Sequence, residues 1–177
     1  YEGVYVRDGW GSLITNITSY GNSEYGFYLR GNDLKTTNLL SYNNSNKGIY
    51  FAYSDFLIAD NITSFNNSGD GIYLYDVDYT NSTNLTSYSN EGYGIYYRGN
   101  NNTVRNITTY DNLESGTYIR YKDNNFSDIV SYENKYGVYL YNAENCFVTN
   151  INSYNNTNYG IYFYNSYYNN LSNGNIL

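Results

Sequence analysis

Acidic side chains that could do chemistry recur at one place in this 177-residue chain, seven residues after a repeated glycine. Carboxylates on successive turns of a repeat structure would lie about 4.8 Å apart and raise one another's pKa. Asp33, Asp55 and Asp78 could hold a calcium ion, stand partly protonated in an acidic habitat, or start a lyase reaction with Arg30 or Lys122 as base. We favour turn-forming residues that splay into water. The whole row is Asp33, Asp55, Asp78, Asn101, Asp123 and Glu144.

Other catalytic machinery is missing from the sequence. A glycosidase needs two carboxyl groups about 5 to 9.5 Å apart, and the outward positions predicted after each repeated glycine offer Tyr, Arg and Ala but no acid. The chain has no His, a single Cys146 and a net charge of −7. These features exclude imidazole chemistry, an internal disulfide and capture of nucleic-acid phosphates. No apolar run reaches the ~18 residues of a membrane span. We expect no catalytic residue and, calcium aside, no cofactor.

Tyrosine is the most distinctive candidate binding residue, with 28 copies, one of them two residues after each of eight repeated glycines. Rings in register would lie at favourable pair distances, and Arg98 or Arg120 could lie over a neighbouring ring. Tyr either serves only as a good strand residue or forms an aromatic platform for a glycan or another protein. The row comprises Tyr5, Tyr28, Tyr50, Tyr73, Tyr96, Tyr118, Tyr139 and Tyr162.

Asparagine supplies acceptors for N-glycosylation, because the motif Asn-x-Ser/Thr occurs eleven times. Several acceptors, such as Asn61 and Asn84, directly precede an inward Ile or Leu, so strand alternation sends them outward. Glycans on adjacent turns would collide, so we expect several but not all acceptors to be used. Covalent N-glycans would imply an exported protein. The acceptors are Asn16, Asn43, Asn61, Asn66, Asn81, Asn84, Asn101, Asn106, Asn125, Asn155 and Asn170.

The elements that must position these residues follow from a repeat of 21 to 23 residues. Each copy contains Gly-apolar-Tyr-apolar and a segment close to Asn-Ile-Thr-Ser-Tyr-x-Asn, with the alternation of strands and without helical spacing. Clusters of Asn, Asp, Ser and Gly between them supply the turns. This pattern predicts an all-β parallel β-helix, a solenoid of about eight coils with three short strands per coil. The repeated glycines are Gly3, Gly26, Gly48, Gly71, Gly94, Gly116, Gly137 and Gly160.

The same alternation predicts the interior. Apolar residues one and three places after each glycine, such as Ile72 and Leu74, point inward, as does the Ile or Leu of the second segment. A Ser or Thr two places after that Ile or Leu suits a narrow bore. Asn recurs at the following corner, where stacked amides can bond one another and the turn backbone. The corner ladder consists of Asn22, Asn44, Asn67, Asn90, Asn112, Asn134 and Asn156.

These units, with Asn61 to Asn67 and Gly71 to Leu74 as the clearest copy, resemble the right-handed β-helix repeats of the NosD-like, or carbohydrate-binding and sugar-hydrolase, group. The resemblance implies a right-handed helix and a secreted or cell-surface protein, such as those of archaea or bacteria. It does not choose a function, since the group includes polysaccharide lyases and hydrolases, adhesins and surface-layer proteins.

We therefore predict a non-catalytic structural segment of an N-glycosylated extracellular surface protein: a filament, a surface layer or an adhesin stalk. It would associate with itself or with neighbouring surface proteins. The alternative is a polysaccharide-binding module, or a weak polysaccharide lyase or hydrolase, that uses the outward Tyr and Arg face. A third option is ice binding by the outward Thr18, Thr63, Thr86 and Thr108, a row that Leu40 interrupts. We expect residues 1–177 to form one domain, either part of a longer solenoid or a unit that stacks end to end.

Overall fold

The computed structural model describes residues 1–177 and is built entirely from β-strands, numbered β1 to β16 in chain order. They form two parallel sheets of eight strands each. The first sheet contains β1 (Val4–Val6), β3 (Phe27–Arg30), β5 (Ile49–Ala52), β7 (Ile72–Tyr75), β9 (Ile95–Arg98), β11 (Ser115–Lys122), β13 (Tyr136–Glu144) and β15 (Tyr159–Tyr164). The second sheet contains β2 (Leu13–Tyr20), β4 (Lys35–Tyr42), β6 (Ile58–Phe65), β8 (Asn81–Tyr88), β10 (Thr103–Tyr110), β12 (Asn125–Tyr132), β14 (Phe147–Tyr154) and β16 (Asn170–Ile176).

Every strand pairs in parallel with the equivalent strands one coil before and one coil after it. Tyr50, for example, pairs with Tyr28 on one side and with Tyr73 on the other. The repeat of the sequence is therefore the coil of the structure, and the predicted solenoid of about eight coils is confirmed. Because each coil satisfies the backbone of its neighbours, no coil is a stable unit by itself.

The prediction of three strands per coil needs correction, since each coil contributes one strand to each of two sheets. Each second-sheet strand changes direction at a single residue in the left-handed region, such as Asn38 with φ 56°. Pairing continues on both sides of this residue, between Thr37 and Asp60 and between Leu39 and Ile62. Asn and Asp tolerate this conformation best among non-glycine residues. The left-handed residues are Asn16, Asn38, Asn61, Asn84, Asn106, Asp128, Asn150 and Asn173.

The core is a single column of side chains inside the coils. The predicted inward residues of the central coils, including Ile72, Leu74 and Ile62, are almost completely buried. Tyr97 is the largest side chain in this column and is fully buried. Its hydroxyl contacts the hydroxyl of Thr80 and lies 3.4 Å from that of Ser82, so the phenol oxygen has partners inside the core.

The predicted corner ladder is confirmed, and it joins the two sheets at every corner from Ser19 to Ser153 except that of Thr109, whose hydroxyl bonds Ser131 Oγ instead. Asn67 Nδ2 donates to Asn90 Oδ1 of the next coil at 2.9 Å and to Ser64 Oγ at 3.0 Å. Ser64 Oγ in turn donates to the carbonyl oxygen of Gly71 at 2.9 Å. The buried Ser and Asn side chains thus satisfy one another and the corner backbone, as buried polar groups must.

This network explains why glycine precedes every apolar-Tyr-apolar triplet. A Cβ atom on Gly71 would lie 1.9 Å from Ser87 Oγ and 2.6 Å from Asn90 Nδ2. Gly48 has the same environment, with its Cβ position 1.9 Å from Ser64 Oγ. The corner leaves no room for any side chain at this point. The glycine therefore fixes the start of each first-sheet strand and the direction of the Tyr two residues later.

Candidate functional site

The outer face of the first sheet presents a continuous row of tyrosine rings, which we call the first aromatic row. Neighbouring ring centroids lie between 4.5 Å, for Tyr73 and Tyr96, and 5.3 Å, for Tyr28 and Tyr50. The orientations are mixed: Tyr73 and Tyr96 stack with planes 22° apart, whereas Tyr50 meets Tyr73 edge to face at 79°. The row contains Tyr5, Tyr28, Tyr50, Tyr73, Tyr96, Tyr118, Tyr139 and Tyr162.

Most rings of this row are half-buried, with two exceptions. Tyr5 is 54% exposed, whereas Tyr118 is only 6% exposed. Tyr118 therefore contributes packing rather than surface, which corrects its place in the predicted binding face. Burial, followed by the charge of neighbouring Tyr28, raises the pKa of Tyr50 to about 12. Tyr50 therefore presents a phenol hydroxyl rather than a phenolate at neutral pH.

A second line of aromatic side chains widens this face at several coils. Tyr93 lies 4.9 Å from Tyr118 and 5.5 Å from Tyr96, measured between ring centroids. Tyr25 and Tyr136 have equivalent places beside other members of the row. Two rings side by side on neighbouring coils give a surface as broad as a sugar ring and several coils long.

Basic side chains border the first aromatic row on its other side, and most are neutralised there. Arg98 has its guanidinium carbon 4.2 Å from the ring centroid of Tyr75 and its Nε 3.1 Å from Asp76 Oδ1. That ion pair is too poorly aligned to be a hydrogen bond, since Arg98 Nε has no hydrogen-bond partner. On the opposite side of the row, at the position that Tyr25 and Tyr93 occupy in their coils, Lys47 also lies over an aromatic ring and has a carboxylate partner, Asp70, at 3.0 Å. The face is thus aromatic and polar rather than strongly charged.

A groove of about 410 Å³ opens beyond the Arg residues, at the corner that follows the first-sheet strands. Two of its carboxylates serve the turn backbone: Asp55 Oδ1 accepts from the amide of Asp78 at 3.2 Å, and Asp78 Oδ1 accepts from the amide of Asn100 at 2.6 Å. These contacts support the interpretation of turn-forming residues. The groove is lined by Asn32, Tyr53, Asp55, Asp76, Asp78, Gly99, Asn100 and Tyr121.

Asp33, Asp55 and Asp78, for which calcium binding was one alternative, do not form one row, because Asp33 lies one position away from the other two. The backbone amide of Asp33 donates to the carbonyl of Asp55, and that of Phe56 donates to Asp78. Asp33 is therefore the equivalent of Phe56, and its coil lacks one residue that the next coil has. No group of three or more His, Cys, Asp or Glu side chains is placed to hold a metal ion. Arg30, one of the two residues considered as the base of a lyase, has its Nε atom 3.7 Å from Asp8 Oδ1.

The second sheet has an aromatic row of a different kind, which we call the second aromatic row. Neighbouring rings are parallel within 3° to 4°, and their centroids are 4.6 to 5.0 Å apart. Every inner ring is therefore covered by an aromatic neighbour on both faces. The row contains Tyr20, Tyr42, Phe65, Tyr88, Tyr110, Tyr132 and Tyr154.

All eleven predicted glycosylation acceptors are exposed, and they fall into groups. Some belong to the left-handed residues of the second sheet and already bond one another: Asn106 Nδ2 donates to Asn84 Oδ1 at 2.6 Å. Others, such as Asn43 and Asn66, have left-handed φ angles one residue before the buried corner Asn. The acceptor nitrogen of the second group projects from the corner, so we expect modification there first.

Two features of this region were missed from the sequence. One is the groove itself, with Asp76 on its wall, because Asp76 falls five residues after a repeated glycine and outside the predicted acidic row. The other is Tyr121, which has a left-handed φ of 81°. The sequence contained the signal, since the interval from Gly116 to Asn124 is eight residues and the equivalent interval from Gly71 to Thr80 is nine.

The fold and its outer rows define a parallel β-solenoid with an aromatic row on each of its two sheets. The chain belongs to the family described as right handed beta helix region, whose model matches residues 1–89 and 70–177. The narrower resemblance to the NosD-like group stays a prediction. Comparison with curated proteins gives no significant match. The structure has no helix long and apolar enough to cross a membrane.

Several solved structures have the same fold at low sequence identity. The periplasmic alginate epimerase AlgG is 17% identical, with a TM-score of 0.92 over 99% of this chain and 47% of that chain. The Siphovirus 9NA tailspike receptor binding domain is 16% identical, with a TM-score of 0.67 over 98% and 43%. The A-module of an Azotobacter vinelandii mannuronan C-5 epimerase is 14% identical, with a TM-score of 0.65 over 96% and 57%. The chain thus spans about half the length of these structures.

Proposed function

We propose that this chain binds a polysaccharide along the outer face of the first sheet. The observation on which this rests is the continuous first aromatic row, in which mixed ring orientations leave ring faces without an aromatic partner. A pyranose ring offers an apolar face of C–H groups that packs on an aromatic ring. Tyr supplies such contact area with little loss of side-chain entropy and adds a hydroxyl at the rim.

The geometry favours an extended ligand over a small one. The rings repeat at the coil spacing of about 4.8 Å along a straight face, so a chain of sugars can contact several coils at once. The Arg and Asp side chains beside the row can bond sugar hydroxyls. Solved structures with this fold include two proteins named as epimerases of alginate and mannuronan, which are polysaccharides, and this supports the proposal.

A matched pair of triple variants tests this proposal. Replacing Tyr28, Tyr73 and Tyr96 with Ser removes three half-buried rings from the first aromatic row. The control replaces three half-exposed rings of the second aromatic row with Ser, at Tyr42, Tyr88 and Tyr110. We expect retardation of the protein in gels that contain soluble polysaccharides, for a panel of neutral and anionic polymers. The first variant should lose this retardation and the control should keep it; equal retardation of both variants would overturn the proposal.

We also propose that the chain is a rigid, non-catalytic segment of an exported, N-glycosylated protein of the cell surface. The observation that favours this second function is that all eleven acceptor asparagines are exposed. Enzymatic removal of N-glycans from the native protein, followed by peptide mass mapping, tests it. We expect several acceptors to carry sugar, with Asn43 and Asn66 among them. A native chain whose mass equals that of the bare polypeptide would contradict this function.

A further inference from the structure

Tyr121 occupies a place that glycine fills elsewhere. In the longer coils, one extra residue in the left-handed conformation follows the first-sheet strand. Three coils lack this residue, and in each of them an Arg is followed directly by the residue at the corner. That residue is Gly31 with φ 143° in one coil and Gly99 in a second, where a Cβ would lie 1.8 Å from a carbonyl oxygen. In the third coil it is Tyr121, whose φ of 81° is the largest positive value of any non-glycine residue.

This conformation is costly for a bulky side chain and persists only where the surroundings impose it. The pairing of β11 with β13 is irregular at the same point, between Arg120 and Tyr121. Irregularities of this kind redirect a side chain, and they are common beside functional sites. Here the redirected ring of Tyr121 lines the groove.

Arg120 differs from five other basic residues on or beside the first sheet, and only the exposed Lys122 at the end of the same strand also lacks a carboxylate partner. Arg7, Arg30, Lys47, Arg98 and Lys135 each have a carboxylate oxygen within 4.0 Å. Arg120 has none, and its Nε atom is buried without a hydrogen-bond partner. The Nε atom is closed to an outside ligand, but the terminal Nη nitrogens are not buried, so a ligand that supplies acceptors can bond the guanidinium through them.

Aromatic rings hold the guanidinium of Arg120 in place. Its guanidinium carbon lies 5.2 Å from the ring centroid of Tyr121 and 5.4 Å from that of Tyr141. Burial lowers the pKa of Arg120, but a hydrogen bond with Tyr96 and the neighbouring phenols raise it by more, so the cation persists. Arg98 lies on the other side, 5.3 Å from the Tyr121 ring, and is already paired with Asp76.

We propose that Arg120 and Tyr121 form an anion subsite, which binds a carboxylate or sulfate group of the polysaccharide on the Arg120 side of the Tyr121 ring, outside the groove whose lining contains Asp55, Asp76 and Asp78. The inference rests on the proposed polysaccharide function and adds the chemical class of the ligand. Tyr121 packs against the sugar ring and orients Arg120, whose planar fork matches the two oxygens of an anionic group. The net charge of −7 opposes a polyanion at long range, but the contact at Arg120 is local.

Affinity measurements with matched polymers test the proposal. Polygalacturonate and its methyl ester share one backbone and differ in the charged carboxylate, and dextran sulfate and dextran form the equivalent pair for sulfate. We expect the wild-type chain to prefer one charged polymer, and R120Q to lose about tenfold to a hundredfold of that affinity. R120K should recover only part of it, because it restores the charge without the fork. The control R105Q removes the same charge from the second sheet and should have no effect.

The variant Y121G separates this function from stability. Glycine suits the left-handed φ, so the melting temperature should stay unchanged or rise while affinity for the charged polymer falls about as far as in R120Q. Equal affinity for charged and methyl-esterified polymers, unaffected by R120Q and Y121G, would overturn the subsite and leave the polysaccharide function standing. Binding to none of the four polymers, together with no retardation on any polymer of the wider panel, would overturn both.

Discussion

The two aromatic rows have the same spacing along the same solenoid, yet their rings are arranged differently. In the second aromatic row the rings are parallel within 4°, and each inner ring has an aromatic neighbour on both faces. In the first aromatic row, stacked pairs alternate with edge-to-face pairs at 79° to 84°. The second row uses its aromatic surface for ring stacking, whereas the first is the surface to which we propose that a polysaccharide binds.

Their surroundings account for the difference. The rings of the second row directly follow the buried Ser ladder, so one rotamer repeats from coil to coil. The rings of the first row are flanked by Arg, Lys and further Tyr side chains, such as Lys47, which lies 4.5 Å from the ring centroid of Tyr73. Irregular neighbours force irregular ring orientations. Equal spacing in sequence thus produces a regular stack of rings in one place and a row of mixed ring orientations, the proposed binding surface, in the other.

A substitution at the corner between the two rows should have the largest effect on stability, because it disturbs both rows. G71A adds a Cβ 1.9 Å from Ser87 Oγ and 2.6 Å from Asn90 Nδ2, which must displace the corner ladder. We expect a loss of more than about 4 kcal/mol in the free energy of unfolding, or failure to fold. Chemical denaturation followed by circular dichroism measures it.

The matched control for this prediction is G21A. Gly21 has a φ of 68°, but an added Cβ meets nothing within 4 Å. G21A should therefore lose only the roughly 1–2 kcal/mol of a left-handed residue. Similar losses in the two variants would show that the corner network does not exclude side chains and would remove the explanation of the repeated glycine.

Substitutions in the second aromatic row should reduce stability without changing binding. Replacing Tyr88, Tyr110 and Tyr132 with Ser breaks four stacked pairs, each of which contributes about 0.5–1.5 kcal/mol beyond area burial. We expect at least about 2 kcal/mol of destabilisation in urea unfolding. Polysaccharide affinity of the folded variant should equal that of the wild type. A stable variant that no longer binds would reverse the roles assigned to the two rows.

Alkaline pH should act on the first aromatic row with a smaller, graded effect. Burial raises the pKa of Tyr50 and of Tyr93 to about 12, above the value near 10 of an unfolded chain. Between pH 10 and pH 12 the unfolded chain therefore releases protons that the folded chain keeps. The free energy of unfolding should fall as pH rises through this window, and the full contribution of these tyrosines is present below pH 10. Melting temperatures measured from pH 8 to pH 12 test this. A constant melting temperature above pH 10 would contradict it.

Sequence reasoning established the fold because glycine, Ser and Asn recur at fixed positions with a physical reason for each. The sequence alone was enough to predict the ladder through Asn67 and Asn90 and the inward apolar series. The two-sheet arrangement could not, since it depends on Asn38 and its equivalents bending the strand without ending its pairing. Side-chain alternation alone does not distinguish a bent strand from two strands.

Only part of the candidate site could be predicted from the sequence. The Tyr row followed from the repeat, but the burial of Tyr118 did not, because it depends on Tyr93 and Tyr139 from adjacent coils. Small differences in coil length moved Asp33 out of its predicted row and placed Tyr121 in a glycine position. Such differences are visible in the sequence only when every coil is aligned on its corner instead of on its first glycine.

Footprinting of the tyrosines tests the central claim most directly, because both rows are probed in one molecule. Hydroxyl-radical labelling of the intact chain would be compared with and without a saturating polysaccharide that it binds, and the modified residues mapped by mass spectrometry. The structure predicts protection of Tyr28, Tyr73 and Tyr96 and unchanged labelling of Tyr42 and Tyr110. Protection of the second aromatic row in place of the first would contradict the assignment of the binding face.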